Sequence, residues 1–227
     1  MGQNVRVSFD RRTVLRDSLS VAIPVGSYGA AFGAASVAAG FSVFQSCALS
    51  LALFSGASQF AVVGIMGAGG GPFSAIATGA LLGARNGLYA MRLSPILRVR
   101  GLRRILTAQI TIDESTGVAL SQEGRGRDAM RFGFFTTGIG VYIFWNLFTL
   151  IGALGAEAIG NPSAWGLDAA VPAAFLGLLW PRLDSSRTKL AALAALILAL
   201  ALTPILGAGI PIIATVAIAL ILGWRSK

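Results

Sequence analysis

Arg85, Asp113 and Glu114 offer the most chemistry in this chain, because each stands in a stretch of otherwise apolar or small residues. A guanidinium and a carboxylate can pair with one another or with the opposite charges of a ligand. A carboxylate shielded from water can also take up and release a proton near neutral pH. The setting makes their positions expensive: 55% of the residues are apolar, 12% are charged, and the mean hydropathy is +0.76, whereas a soluble domain carries about 25% charge. At bilayer depth a charge costs between about 3 and roughly 15 kcal/mol, so it persists where it faces protein or a water-filled path.

The elements that must hold these residues are membrane helices. A span needs about 20 mostly apolar residues, and eight stretches qualify, A to H: 19–41, 43–66, 72–97, 105–121, 132–155, 162–181, 188–206 and 208–224. The expected fold is an all-α integral membrane protein, a polytopic helical bundle in which about six to eight segments span fully and some are broken or re-entrant. Residues 1–18 read as a basic cytoplasmic arm and 19–224 as a single transmembrane permease domain. Pro24 and Gly26 interrupt the first apolar run early and many spans follow, so the N-terminal segment reads as a retained helix rather than a cleaved signal.

Positive charge orients the bundle. Arg6, Arg11, Arg12 and Arg16, then Arg125, Arg127 and Arg131, then Arg182, Arg187 and Lys189, then Arg225 and Lys227 all flank apolar segments, as cytoplasmic loops do. The cluster Arg98, Arg100, Arg103 and Arg104 breaks the pattern, since four full crossings from A to D would leave it outside. Two readings stand: eight spans with one disobedient loop, or D re-entrant or lying partly in the interface with one of A to C broken, leaving about six full spans.

The residues that are missing narrow the chemistry. There is no histidine and one cysteine, Cys47, which excludes an internal disulfide, a His or Cys metal site and a His-based triad. The lysines, Lys189 and Lys227, follow no glycine-rich phosphate loop, so there is no Walker A motif. No cofactor and no metal are expected, and the net charge of +9 belongs to membrane loops rather than to a nucleic-acid surface. Any active transport runs on an ion gradient or on a partner's energy.

Within the segments, Gly29, Gly33 and Ser36 of A share one face that another helix can approach closely. Pro24, Gly26 and Gly29 predict either an unwound stretch, of the kind that exposes backbone dipoles in transporters, or a simple proline kink. In B, SGASQF (55–60) sets Gln59 deep in an apolar run, suited either to a bound zwitterion or to an interhelical hydrogen bond. In C, Gly79, Gly83 and Gly87 make a glycine face, with Arg85, Tyr89 and Arg92 on another stripe. In D, Gln109, Asp113 and Thr116 line one side while Glu114 lies about 100° around. Asp113 or Glu114 paired with Arg85 would be structural, and a desolvated carboxylate would be a proton carrier; the sequence leaves both open. In E, Gly133, Thr137 and Gly140 read as packing and Trp145 as an interfacial aromatic. Asp168 in F reads as a helix-start anion, and G and H as plain apolar helices.

Taken together, PVGSYGAAFG (24–33), SGASQF (55–60), GARNGLY (83–89), DES (113–115), Trp145 and GLDAAVPAAF (166–175), in that order, resemble the AzlC-type branched-chain amino acid exporters (the LIV-E family) over roughly residues 20–180. Members often carry an Asn two residues before the motif Arg and a His after it; here these are Gly83 and Asn86. The resemblance implies a multi-pass permease of the cytoplasmic membrane, a secondary transporter exporting valine, leucine, isoleucine and in some members methionine. It also implies proton coupling, a small AzlD-type membrane subunit as partner, and no enzymatic activity. On this basis Pro24, Gly26, Tyr28, Gly29, Gln59, Arg85, Asn86, Asp113 and Glu114 form the expected substrate-binding or coupling set, with backbone near Gly26 and Gly29, Tyr28 and Gln59 holding the zwitterion. The alternative is a transporter or channel subunit for another small amphipathic solute.

Overall fold

Close helix contact organises the centre of the molecule. The computed structural model describes residues 9–160, 164, 166 and 169–224, and among these every regular element is helical. Helix α1 (Arg11–Ser27) starts inside the basic arm, on Asp10, whose side chain accepts the N–H groups of Arg12 and Thr13. Pro24 is taken into α1, and a single residue, Tyr28, separates α1 from α2 (Gly29–Ala38). Segment A is therefore helical rather than unwound over 24–29, interrupted at Tyr28 alone.

Against this stretch runs the longest helix, which we number α8 (Arg127–Ile159). Gly26 abuts Phe144, Gly29 abuts the backbone of Trp145, Gly33 abuts that of Thr149, and Gly152 meets the backbone of Ala30. A Cβ at Gly29, Gly33 or Gly152 would strike main chain, which is why only glycine fits. Because the partner's number rises with the glycine's, the two elements run parallel. Both Arg11–Ala38 and Arg127–Ile159 are long and apolar enough to cross a bilayer.

Segment B is broken in its middle. Helices α3 (Val43–Ala52) and α4 (Gly56–Gly67) hold 10 and 12 residues, about 15 and 18 Å, roughly half of a hydrocarbon core each. Ser46 Oγ donates to Ser36 Oγ at 2.7 Å, and Gly67 lies against Ala39. So α3 leaves the end of the bundle where α2 stops, and α4 returns to it. The pair is a hairpin whose tip is Leu53, Phe54 and Ser55.

Helix α5 (Pro72–Leu97, 26 residues) is about 39 Å long and runs to the opposite end, where Arg131 donates to the carbonyl of Leu97 at 2.6 Å. Its Gly79 and Gly83 face Ser58 of α4, while Gly87 faces open space; the glycine stripe is used for two of its three turns. Segment D is a second hairpin, α6 (Leu102–Gln109) and α7 (Asp113–Ser121). It leaves from the end of α5 and returns to the same end of the bundle, because Gln122 and Arg125 both reach Asp17 of α1 at 3.3 Å. The two hairpins enter from opposite ends.

Beyond α8, α9 (Ala170–Leu179) passes into a 3-10 turn at Trp180–Arg182. Helices α10 (Ser186–Leu202), α11 (Ile210–Ala214) and α12 (Val216–Trp224) close the chain, tied back where Ser74 Oγ donates to the carbonyl of Ala208 at 3.0 Å. Asp168, expected to start segment F, lies outside the described residues.

Candidate functional site

A helix that stops inside an apolar bundle leaves its last carbonyls without partners, and such groups are costly away from water. The tip of the first hairpin solves this with side chains. Gln59 Nε2 donates to Leu53 O at 2.6 Å and Ser50 O at 3.3 Å. Gln109 Nε2 donates to Leu51 O at 2.9 Å and Ala52 O at 3.2 Å, and Tyr142 Oη donates to Leu51 O. Trp145 Nε1 in turn donates to Gln59 Oε1 at 2.9 Å. Gln109 belongs to the second hairpin, so one tip directly satisfies the other. The second tip is held by Ser115, whose hydroxyl accepts the N–H of Ile112 and donates to the carbonyl of Ile110 at 2.7 Å.

Between the tips lies a cavity of about 260 Å³. Its apolar wall is Val25, Phe54, Phe60, Ile112, Val141 and Trp145, and its polar wall is Tyr28, Ser55, Arg85, Asn86, Asp113 and Glu114. The start of α4 opens on it at Gly56 and Ala57, with no side chain among the described residues capping that terminus. The start of α7 places Asp113 and Glu114 there, where the helix dipole favours carboxylates.

The charges are unequally used. Arg85 meets Asp113 at 3.0 Å, and Arg182 reaches the same carboxylate oxygen at 3.5 Å. The other oxygen of Asp113 and the Nε of Arg85 are buried with no hydrogen-bond partner among the described residues. Glu114 makes no ion pair among the described residues.

Five of the residues expected from sequence line this cavity: Tyr28, Arg85, Asn86, Asp113 and Glu114. Four do not. Pro24 is exposed beside Ile23 on the outer face of α1, and Gly26 and Gly29 are spent on the contact with α8. Gln59 sits fully buried behind the wall, with both ends of its amide committed to Leu53 and Trp145. Its interhelical reading, not the ligand reading, matches the geometry.

Two residues of the site escaped the sequence reading, Trp145 in the wall and Arg182 behind Asp113. Trp145 was expected at a membrane interface; it is 6% exposed and stacks near Phe32 with ring centroids 6.3 Å apart. Its position midway along a 33-residue helix was the available signal. Arg182 was grouped with loop arginines; nothing in the sequence pairs it with Asp113 across 69 positions.

Apolar helices, a polar centre and two interrupted hairpins define an all-helical integral membrane protein with a central solute-sized pocket. A family model, AzlC protein, matches residues 20–159, and the chain belongs to the AzlC family, a family of amino acid transport proteins of the membrane rather than of enzymes. No curated protein and no solved structure matches the chain.

Proposed function

We propose that this chain is the permease subunit of an exporter for branched-chain amino acids: valine, leucine, isoleucine and, by the same fit, methionine. The observation that carries the reading is the cavity itself. Ligand sites are mostly apolar with a few convergent polar groups, and this one sets aliphatic and aromatic side chains opposite both signs of charge, the pattern an amphipathic zwitterion requires. Its volume of about 260 Å³ lies near the small end of ligand sites, in keeping with a single amino acid.

In the same proposal, the N-terminus and the arginine cluster 98–104 face the cytoplasm. The first hairpin enters from outside and the second from the cytoplasm, so the full crossings number about six. A re-entrant B removes one crossing before α5 and brings Arg98, Arg100, Arg103 and Arg104 to the inner side, which agrees with the positive-inside rule. Discontinuous helices meeting at a midplane site are the arrangement of many secondary transporters. Export is driven by the proton gradient across the cytoplasmic membrane, and a small AzlD-type membrane subunit completes the complex.

The test is efflux of radiolabelled valine, isoleucine and methionine from cells expressing the chain with and without that subunit, before and after collapse of the proton gradient. Uphill efflux requiring both chain and gradient supports the reading. No efflux from a complex shown to be inserted would overturn the substrate assignment, and efflux indifferent to the gradient would overturn the coupling.

A further inference from the structure

The two neighbouring carboxylates at the start of α7 have different fates. Asp113 is held by Arg85 at 3.0 Å and by Arg182 at 3.5 Å, so its charge is already answered from α5 and from the turn after α9. Glu114, one residue on, lines the same cavity and has no cation within ion-pair distance among the described residues. The other ionisable groups around it are Asp113 beside it on α7, Arg85 and Tyr89 on α5, Arg182, and Tyr28 at the junction of α1 and α2. The wall facing it from α4 and α8, namely Phe60, Val141 and Trp145, brings no charge.

Resting on the amino acid reading above, we propose that Glu114 is the ligand of the substrate's ammonium group and also the site of the coupled proton, so that the two exclude one another. A deprotonated Glu114 is the carboxylate of this cluster without an ion-pair partner among the described residues, and an ammonium can meet it directly in a charge-assisted hydrogen bond. A protonated Glu114 removes that charge and adds an O–H donor that the ammonium, which has only donors, cannot use. Mutual exclusion at one carboxylate produces exchange: proton binding from the acidic side expels the amino acid, and proton release on the other side readmits it. Arg85, Asp113 and Arg182 then form a latch of net charge +1 that ties the second hairpin to α5 and to the turn after α9 rather than carrying the proton. Substrate selection follows from the same geometry, since a primary ammonium beside an aliphatic chain is the required chemistry.

The experiment uses the full complex in detergent, with binding read from the fluorescence of the tryptophans, Trp145 lying in the wall. Valine, isoamylamine and isovalerate are titrated over a series of pH values on the unaltered protein, Glu114→Gln and Glu114→Asp. In the unaltered protein, the Kd for valine and for isoamylamine rises about tenfold for each pH unit below the point at which Glu114 takes up its proton, while isovalerate shows no such rise. Glu114→Gln flattens both profiles at the weak, acid-limit affinity, and Glu114→Asp keeps the slope. Valine binding with the same pH slope in Glu114→Gln, or with none in the unaltered protein, would overturn this inference while leaving the transport reading intact. Failure of valine with retained, pH-dependent isoamylamine binding would instead overturn the amino acid reading and keep Glu114 as an ammonium site. Failure of both probes would overturn the two together.

Discussion

Gln59 gives the sharpest separation between a residue that builds the pocket and one that touches its content. In Gln59→Leu the volume is nearly kept, but Leu53 O loses a bond of 2.6 Å and the indole N–H of Trp145 loses one of 2.9 Å. Each buried group stranded in this way costs about 1–3 kcal/mol, and interhelical bonds measured in a membrane protein average about 0.6 kcal/mol. Weighing the two, about 2–4 kcal/mol of stability should be lost, most of it at the tip of the first hairpin. Thermal unfolding of the purified protein in detergent reads the loss directly. The same protein below its melting point should bind valine with an affinity reduced no more than that of a variant equally destabilised elsewhere. Trp145→Phe removes the indole partner, so adding it to Gln59→Leu should cost about 1 kcal/mol less than the sum of the single changes. A Gln59→Leu protein that melts normally but binds valine at least tenfold more weakly would refute the assignment and return Gln59 to the substrate.

Gly33→Val places a side chain on the backbone of Thr149 and Ala153, so α2 and α8 must separate; no folded protein should be recovered by size-exclusion chromatography, whereas Gly87→Ala, facing open space, should be recovered in full. Arg85→Ala leaves Asp113 with Arg182 alone; since the paired side chains are 33% and 26% exposed, the stability loss should be about 1–2 kcal/mol, below the 3–5 of a fully buried pair, while efflux falls by more than tenfold. In a Cys47→Ser background, single cysteines at positions 40 and 69 should react with impermeant reagents from outside and those at 102 and 124 only from the cytoplasmic side; the reverse pattern at 102 would undo the two-hairpin topology. Asp10 caps α1, and the hydroxyl of Thr13 beside it holds its carboxyl below the ordinary range. Its contribution is therefore complete above the ordinary aspartate value and fades as pH falls through the lowered one, so the protection factor of the Thr13 amide, its exchange relative to the unstructured rate at the same pH, should be unchanged between pH 7 and 5 and drop only under stronger acid.

The sequence carried the helices and the buried charges because both are local signals. Apolar runs of span length announce α1, α5 and α8, and a glycine repeat such as Gly29 and Gly33 announces a close neighbour. The neighbour itself was not legible: that Gly29 meets Trp145 rather than some other helix depends on pairing across more than a hundred residues. The same limit explains Gln59. A glutamine in an apolar run shows that something polar must be satisfied, and only the break at Leu53 shows that the claimants are main-chain carbonyls and not a ligand. Trp145 follows by the same route, since an indole is drawn to an interface unless a buried acceptor is offered, and Gln59 Oε1 is that acceptor.

The break in B and the arginines after C are one problem. Charge counting offered one reading in which a crossing is lost somewhere in A to C, and within those segments Pro24 and Gly26 mark A as a place with a helix breaker. Proline removes one hydrogen bond, and a helix tolerates that when its neighbours pack tightly; the glycine contacts with α8 supply such packing, so A stays helical through Ser27. Segment B contains no proline, yet it stops at Ala52, because Gln59, Gln109 and Tyr142 together answer the carbonyls that stopping exposes. What breaks a membrane helix here is the presence of partners for its orphaned groups rather than the presence of a helix breaker. Two of those partners lie outside the hairpin they serve, Gln109 on the opposing hairpin and Tyr142 on α8. The discontinuity that creates the pocket is thus stabilised across the pocket, and any motion that parts the two tips to let a solute through must first give up the bonds from Gln109 to Leu51 and Ala52.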